Sequence, residues 1–300
     1  MRRQKWKLHR EERGNAIILM AFALMIAITF LGVVIDGGHL YVTKSHLQKT
    51  ANAAALSGSQ ELTHSEGDVR EVVNEVLEAH EEIGSLGELQ ITMEESLTVN
   101  LEKNVPLFFS SLFGIEMVDV RSDATAELGV ISETTGAVPF GIRETTTLNY
   151  GETYSLKVDS GDATGGNFGI LALEGPGARV YEETLREGFQ ETLRVGDVVR
   201  TQTGNISGPT RDGVNYRMND NCGMYDRDCD RIVTVVVFRP IGNQTNYREV
   251  EVRGFAYFYL LEQMDRKDDS VRGKFIKWVG SGAVTGGAAD RGAYSARLTY

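Results

Sequence analysis

The strongest pattern in the chain is a run with no polar side. Residues 16–35 read AIILMAFALMIAITFLGVVI, interrupted only by Thr29 and Gly32. At about 1.5 Å per residue, such a helix spans roughly 30 Å, one hydrocarbon core. A helix on a soluble protein keeps a polar face, so the run predicts a transmembrane helix. The pattern then changes. In 38–62, Leu40, Leu47, Ala51, Ala54, Ala55 and Leu62 return near one helical face. That stripe of mostly small residues predicts a stalk helix packing on its own domain. Its alternative use is subunit packing in a homo-oligomer.

Ser65-Glu66-Gly67-Asp68 resembles a capping box, and Val69, Val72, Val73, Val76, Leu77 and Ile83 follow as an amphipathic face. Alternating runs at 89–93 and 97–101 predict strands. The segment PLFFSSLFG, opened by Pro106, predicts a short helix ending at Gly114. At least two of Phe108, Phe109 and Phe113 are expected in a closed core. Another strand-like run covers 117–128, and 132–136 reads as a linker. Beyond it, strands are expected at 154–158, 168–173, 195–201, 232–238, 250–259 and 274–279, with one helix at 178–187. The predicted fold class is α+β. A basic tail (1–15) leads into the transmembrane helix (16–35), then a stalk helix with a small α+β domain (36–131), then a β-rich domain (137–300).

Charge orients the anchor. Six basic and two acidic residues precede the span, leaving 25 basic and 40 acidic residues to the rest. The basic end is expected in the cytoplasm and the acidic bulk outside it. The apolar run is long for a signal peptide and no small-x-small site closes it, so an uncleaved anchor is expected. A net charge of -11 repels phosphate backbones and argues against nucleic-acid binding. Histidines stop at His80, so the later chain holds no Ser-His-Asp or Cys-His dyad and no His-ligated zinc. A hydrolase using only carboxylates stays open on composition, although no particular pair stands out.

The N-terminal half resembles the TadE/TadG-like branch of the Tad (tight adherence, Flp pilus assembly) proteins. Arg13-Gly14-Asn15-Ala16 precedes the span, and Val34-Ile35-Asp36-Gly37-Gly38-His39-Leu40-Tyr41 closes it. The stretch 47–58, LQKTANAAALSG, is similar to the family's "LQxAADAAALAGA". Val105-Pro106-Leu107-Phe108-Phe109, Leu112-Phe113-Gly114 and Ala124-Thr125-Ala126-Glu127-Leu128 are similar to its "VPTFF…LFG…ATAEL" region. The resemblance covers roughly 10–130 and implies a non-enzymatic, membrane-anchored component of pilus assembly or cell-surface adhesion. Its partners would be the membrane and other pilus-assembly or envelope proteins. Pilin-like members carry Glu at the fifth position after a cleaved glycine; after Gly14 that position holds Leu19, so prepilin-type processing is not expected. Larger members carry a von Willebrand A metal site, and the nearest string, Asp159-Ser160-Gly161-Asp162, does not fit it.

Three candidate features remain. Cys222 and Cys229 are expected to form a disulfide if they face an oxidising compartment. Asp226, Asp228 and Asp230 alternate, with Asp220 nearby, and in an extended segment they would offer oxygen ligands to calcium. The bland reading is a solvated acidic turn; otherwise no cofactor is expected. Asp36 marks the outer membrane boundary and is expected to cap the stalk. His39 and His46 could share a stalk face. The glycine-rich 161–169 lacks a phosphate-loop pattern and reads as a hairpin loop. The alternative function is an envelope-anchored binding or sensory module that depends on calcium.

Overall fold

The computed structural model describes residues 13–157, 168–202, 206–219, 221–242, 247–266 and 270–299. The basic tail before Arg13, Asp220, and residues 158–167, with the Asp159–Asp162 string and most of the expected hairpin loop, lie outside the described residues.

The span and stalk are one helix, α1 (Arg13–Ser59), 47 residues long. Asp36-Gly37-Gly38 does not break it, although glycine weakens a helix interior by roughly 0.5–1 kcal/mol. The apolar run therefore extends directly into the stalk. A second helix, α2 (Glu66–Ala79), starts where the capping pattern places it: the Ser65 hydroxyl oxygen accepts the Asp68 N–H at 3.2 Å. Its buried Val69, Val73 and Leu77 face α1 and three antiparallel strands, β1 (Leu86–Thr92), β2 (Ser96–Pro106) and β3 (Met117–Val130). Leu47, Ala51, Ala54, Ala55 and Leu62 are fully buried in this core. The small-residue stripe is thus consumed within the chain, and a second copy finds it covered. Gly58 shows how close the approach is: a Cβ there would lie 2.6 Å from Val73.

After β3 the chain runs through β4 (Glu133–Thr134), β5 (Ala137–Arg143), β6 (Thr153–Lys157), β7 (Phe168–Ala172), α3 (Ala178–Glu187), β8 (Leu193–Arg194) and β9 (Val198–Thr201). It continues through α4 (Ser207–Arg217), β10 (Ile232–Pro240), β11 (Glu249–Leu260), β12 (Ser270–Ile276), β13 (Trp278–Val279) and β14 (Ala293–Thr299). The segment read as a linker is buried: Ser132 and Thr134 are enclosed, and β4 pairs with β8. Strands β10, β5, β7, β9 and β11 follow one another in hydrogen-bonded order, and β10 also pairs with β11, so the five close a ring. β12 and β6 extend it from β11. Leu171, Phe238 and Phe255 belong to one core of this unit, while α3 and α4 bury Tyr181, Leu185 and Val214 in a second with Phe140 and Phe258. The ring interior is tight enough that a Cβ on Gly141 would sit 2.7 Å from the Phe238 ring.

The end of the chain returns to its beginning. β14 pairs antiparallel with β3, and β13 lies beside β14, completing a five-stranded sheet β1-β2-β3-β14-β13. The sheet of the small N-terminal unit therefore includes the last strand of the chain.

Candidate functional site

The place where anchor and head meet is built by the β2–β3 hairpin. Pro106 ends β2 rather than opening a helix, which corrects the sequence reading: Pro106 pairs with Met117 and closes the ladder. A short 3-10 helix, Ser110–Phe113, follows, and Gly114 terminates it with φ 88°, a left-handed conformation that glycine adopts without strain. The Leu107 N–H donates to the Glu116 carbonyl at 2.9 Å and shuts the tip.

This tip is seated on α1 by Asp36. The carboxylate is 3 % exposed. Its Oδ1 accepts the Phe108 N–H at 2.9 Å, and its Oδ2 accepts the Phe109 N–H at 3.1 Å and the Ser110 N–H at 2.7 Å. The Ser110 hydroxyl donates to the same Oδ2 at 2.7 Å. These are the N–H groups that a short helix leaves without intrahelical partners. Asp36 therefore caps a turn 72 residues away in sequence instead of the stalk. Charge-assisted bonds of this kind are about twice as strong as neutral ones. One helical turn earlier, Gly32 is buried because Phe109 lies across it; a Cβ there would come within 2.6 Å of the Phe109 Cβ. Gly32, Asp36, Leu40 and Leu47 form the inward face from which head packing continues.

The expectation of a closed core for the tip is overturned. Phe109 is half-buried on Gly32, whereas Phe108 is 63 % and Phe113 69 % exposed. The reason is local. The tip is held mainly through backbone donors, which leaves Phe108, Leu112 and Phe113 uncovered while Phe109 alone of its phenylalanines packs on Gly32. His39 sits beside Phe108, with ring centroids 5.8 Å apart, while His46 lies 3.6 Å from Glu82, so the two stalk histidines have separate surroundings.

A second junction lies at the other end of α1. Cys222 and Cys229 are disulfide-bonded, with Cα atoms 5.5 Å apart. Between them, Arg227 donates from Nη2 to Glu61 Oε1 at 2.7 Å and from Nη1 to the Val279 carbonyl at 2.8 Å. Its guanidinium stacks 4.8 Å from the centre of the Trp278 ring. His64 Nδ1 lies 2.5 Å from the other Glu61 oxygen. Burial pushes the Glu61 carboxyl up, but hydrogen bonds from His64 and Arg227 and their positive charge more than offset it, leaving Glu61 below its ordinary value. The disulfide-closed loop thus clamps the β-rich unit onto the end of α1. Nothing in the sequence separated Arg227 from other surface arginines; its place between two bonded cysteines was the available signal.

The alternating aspartates are not gathered. Their segment is turned rather than extended, so alternation does not put them on one face. Asp226 accepts the Gly223 N–H at 2.7 Å and, with Asp228, lines a cleft against Glu71 and Glu75 of α2. The Asp230 carbonyl instead accepts from Arg217. Among the described residues, no three His, Cys, Asp or Glu side chains form a group able to hold a metal ion.

Residues 16–31 of α1 are exposed all round, and the helix is long and apolar enough to cross a membrane. Leu19 is one of these exposed side chains. No curated protein and no solved structure matches the chain. Residues 14–61 match the family described as putative Flp pilus-assembly TadE/G-like, so the family signature lies on α1, from the start of the apolar run to the Glu61 junction.

Proposed function

We propose that the chain is a non-enzymatic, single-pass membrane component of Flp pilus assembly that works through protein–protein interaction. The matched family is one of assembly components. The observation that carries the reading is the unbroken passage of α1 from an exposed apolar half into the buried core of the head. A helix with one end in lipid and the other built into a folded unit holds that unit at a fixed distance from the bilayer. The N-terminus lies in the cytoplasm and the head outside it. The basic residues before the span support that orientation, as does the disulfide, which persists in oxidising compartments. The clamped, acidic head is then a surface for neighbouring assembly or envelope proteins, and adhesion is the other use it would serve.

Fractionation tests this directly. Sheared surface filaments and washed membranes are immunoblotted beside a full-length standard, and intact cells are treated with protease. Full-length chain in membranes, with a head cleaved from outside, is the expected result. A shortened form in the filaments would make the chain a pilin-like subunit, and a head protected both in intact cells and after the outer envelope is permeabilised with the inner membrane sealed would reverse the orientation.

A further inference from the structure

The β2–β3 tip is fastened to α1 at the level of the apolar span, not beyond it. Phe109 lies on Gly32, four residues before Asp36. At 1.5 Å per residue the Phe109 side chain therefore reaches about 6 Å below the Asp36 boundary, where the tip backbone is held. The helix surface at this level is exposed and apolar, with Leu31, Val33 and Val34 all open. The tip continues that surface. Phe108, Leu112, Phe113, Ile115 and Met117 are each more than half exposed, with Leu112 at 80 %. In 107–118 the sequence LFFSSLFGIEMV carries a single charge, on Glu116. Several of its backbone donors are already used: Asp36 takes the N–H groups of residues 108–110, and those of Leu112, Gly114 and Ile115 bond within the turn. Irregular backbone is not tolerated in the hydrocarbon core, so a loop of this kind would lie at the headgroup–acyl boundary, its backbone at headgroup level and its apolar side chains directed toward the acyl chains.

We propose that this tip is a second membrane contact, which inserts Phe108, Leu112 and Phe113 among the acyl chains of the leaflet on the head side. The inference rests on reading 16–35 as a bilayer anchor, because continuity with the lipid-facing surface of that helix is what identifies lipid as the occupant. Elements that lie in the interface bury their apolar face about 5–10 Å deep, which matches the depth set by Gly32. The tip and helix together would fix the rotation and tilt of the head, which one helix alone leaves open. Asp36 is then a positioning residue: it holds the tip at a set depth and touches no lipid.

The test uses the full chain with its disulfide intact, in phosphatidylethanolamine–phosphatidylglycerol vesicles. Single cysteines replacing Leu112, Val34 or Glu71 are labelled with the environment-sensitive fluorophore NBD, and doxyl-labelled phospholipids serve as quenchers. All three positions are exposed, so the substitutions leave the packing intact. Val34 reports the anchor and Glu71 reports water. The expected result is blue-shifted emission at Leu112, quenched by doxyl lipid several-fold more than at Glu71 and comparably to Val34. Quenching at Val34 with water-like emission at Leu112 would overturn the tip insertion while leaving the anchor intact. Water-like emission at both would overturn the anchor and the tip together. Blue-shifted emission at Leu112 without lipid quenching would overturn the lipid assignment and point to a second copy covering the tip.

Discussion

The two halves of α1 send their apolar side chains to opposite ends: the more apolar half stays uncovered and the less apolar half is built into a core. Residues 16–31 are apolar except for Thr29, yet every one of them is exposed. From 47 to 55 the inward residues are one leucine, one threonine and three alanines, all fully buried. Hydrophobicity alone did not decide which half the protein covers. Periodicity did. Apolar residues on every face of the first half suit lipid all round, whereas in the second half small apolar residues return on one face only and let a sheet and a second helix approach there. Gly32 and Asp36 mark the change: from there on, one side of the helix belongs to the head.

Substitutions that treat the halves alike should separate them. Leu47→Ala leaves a cavity in a closed core and should lower head stability by about 2–5 kcal/mol. Leu24→Ala removes as many atoms from the exposed half and should leave the urea midpoint of the head unchanged. Glycines give a sharper contrast. Gly32→Ala drives a Cβ into Phe109 and should cost about 1–3 kcal/mol, read as faster deuterium uptake over 107–116. Gly37→Ala, where nothing lies within 4 Å, should instead stabilise the helix by about 0.5–1 kcal/mol. A loss at Gly37 equal to that at Gly32 would refute the one-sided packing.

At the far end of the packed half, Glu61→Gln breaks the clamp to Arg227 and should cost about 1–2 kcal/mol. The pH dependence has a defined sign. The carboxyl sits below its ordinary value in the folded chain, so its contribution is complete above the ordinary carboxylate range and is lost as pH falls through the folded value. Denaturation measured from neutral to acidic pH should therefore fall less steeply in the Gln variant than in the parent.

Much of this architecture could be read from the chain. The span, the α2 cap at Ser65, the helix Ala178–Glu187 and most strands follow from local periodicity, which each segment carries by itself. What escaped is what joins distant segments. Asp36 bonds backbone N–H groups more than 70 residues away, and backbone donors leave no mark in a sequence. The tip was expected to be buried because it is apolar; its exposure follows from being held by that backbone. The helix Ser207–Arg217 contains Gly and Pro and reads as a loop, and its burial against α3 is a tertiary effect. The return of β14 to β3 is likewise a pairing between segments far apart in sequence.

The division of α1 can be measured residue by residue. Nitroxide labels are placed in turn at positions 17–58 of the full chain in bilayers, and their collision with oxygen, which concentrates in lipid, is recorded. The account predicts uniform high accessibility through 31, followed by minima at 32, 36, 40 and 47 on the face that meets the head. Minima recurring every three to four residues before 31 would contradict it, because the lower half would then be packed against protein instead of lipid.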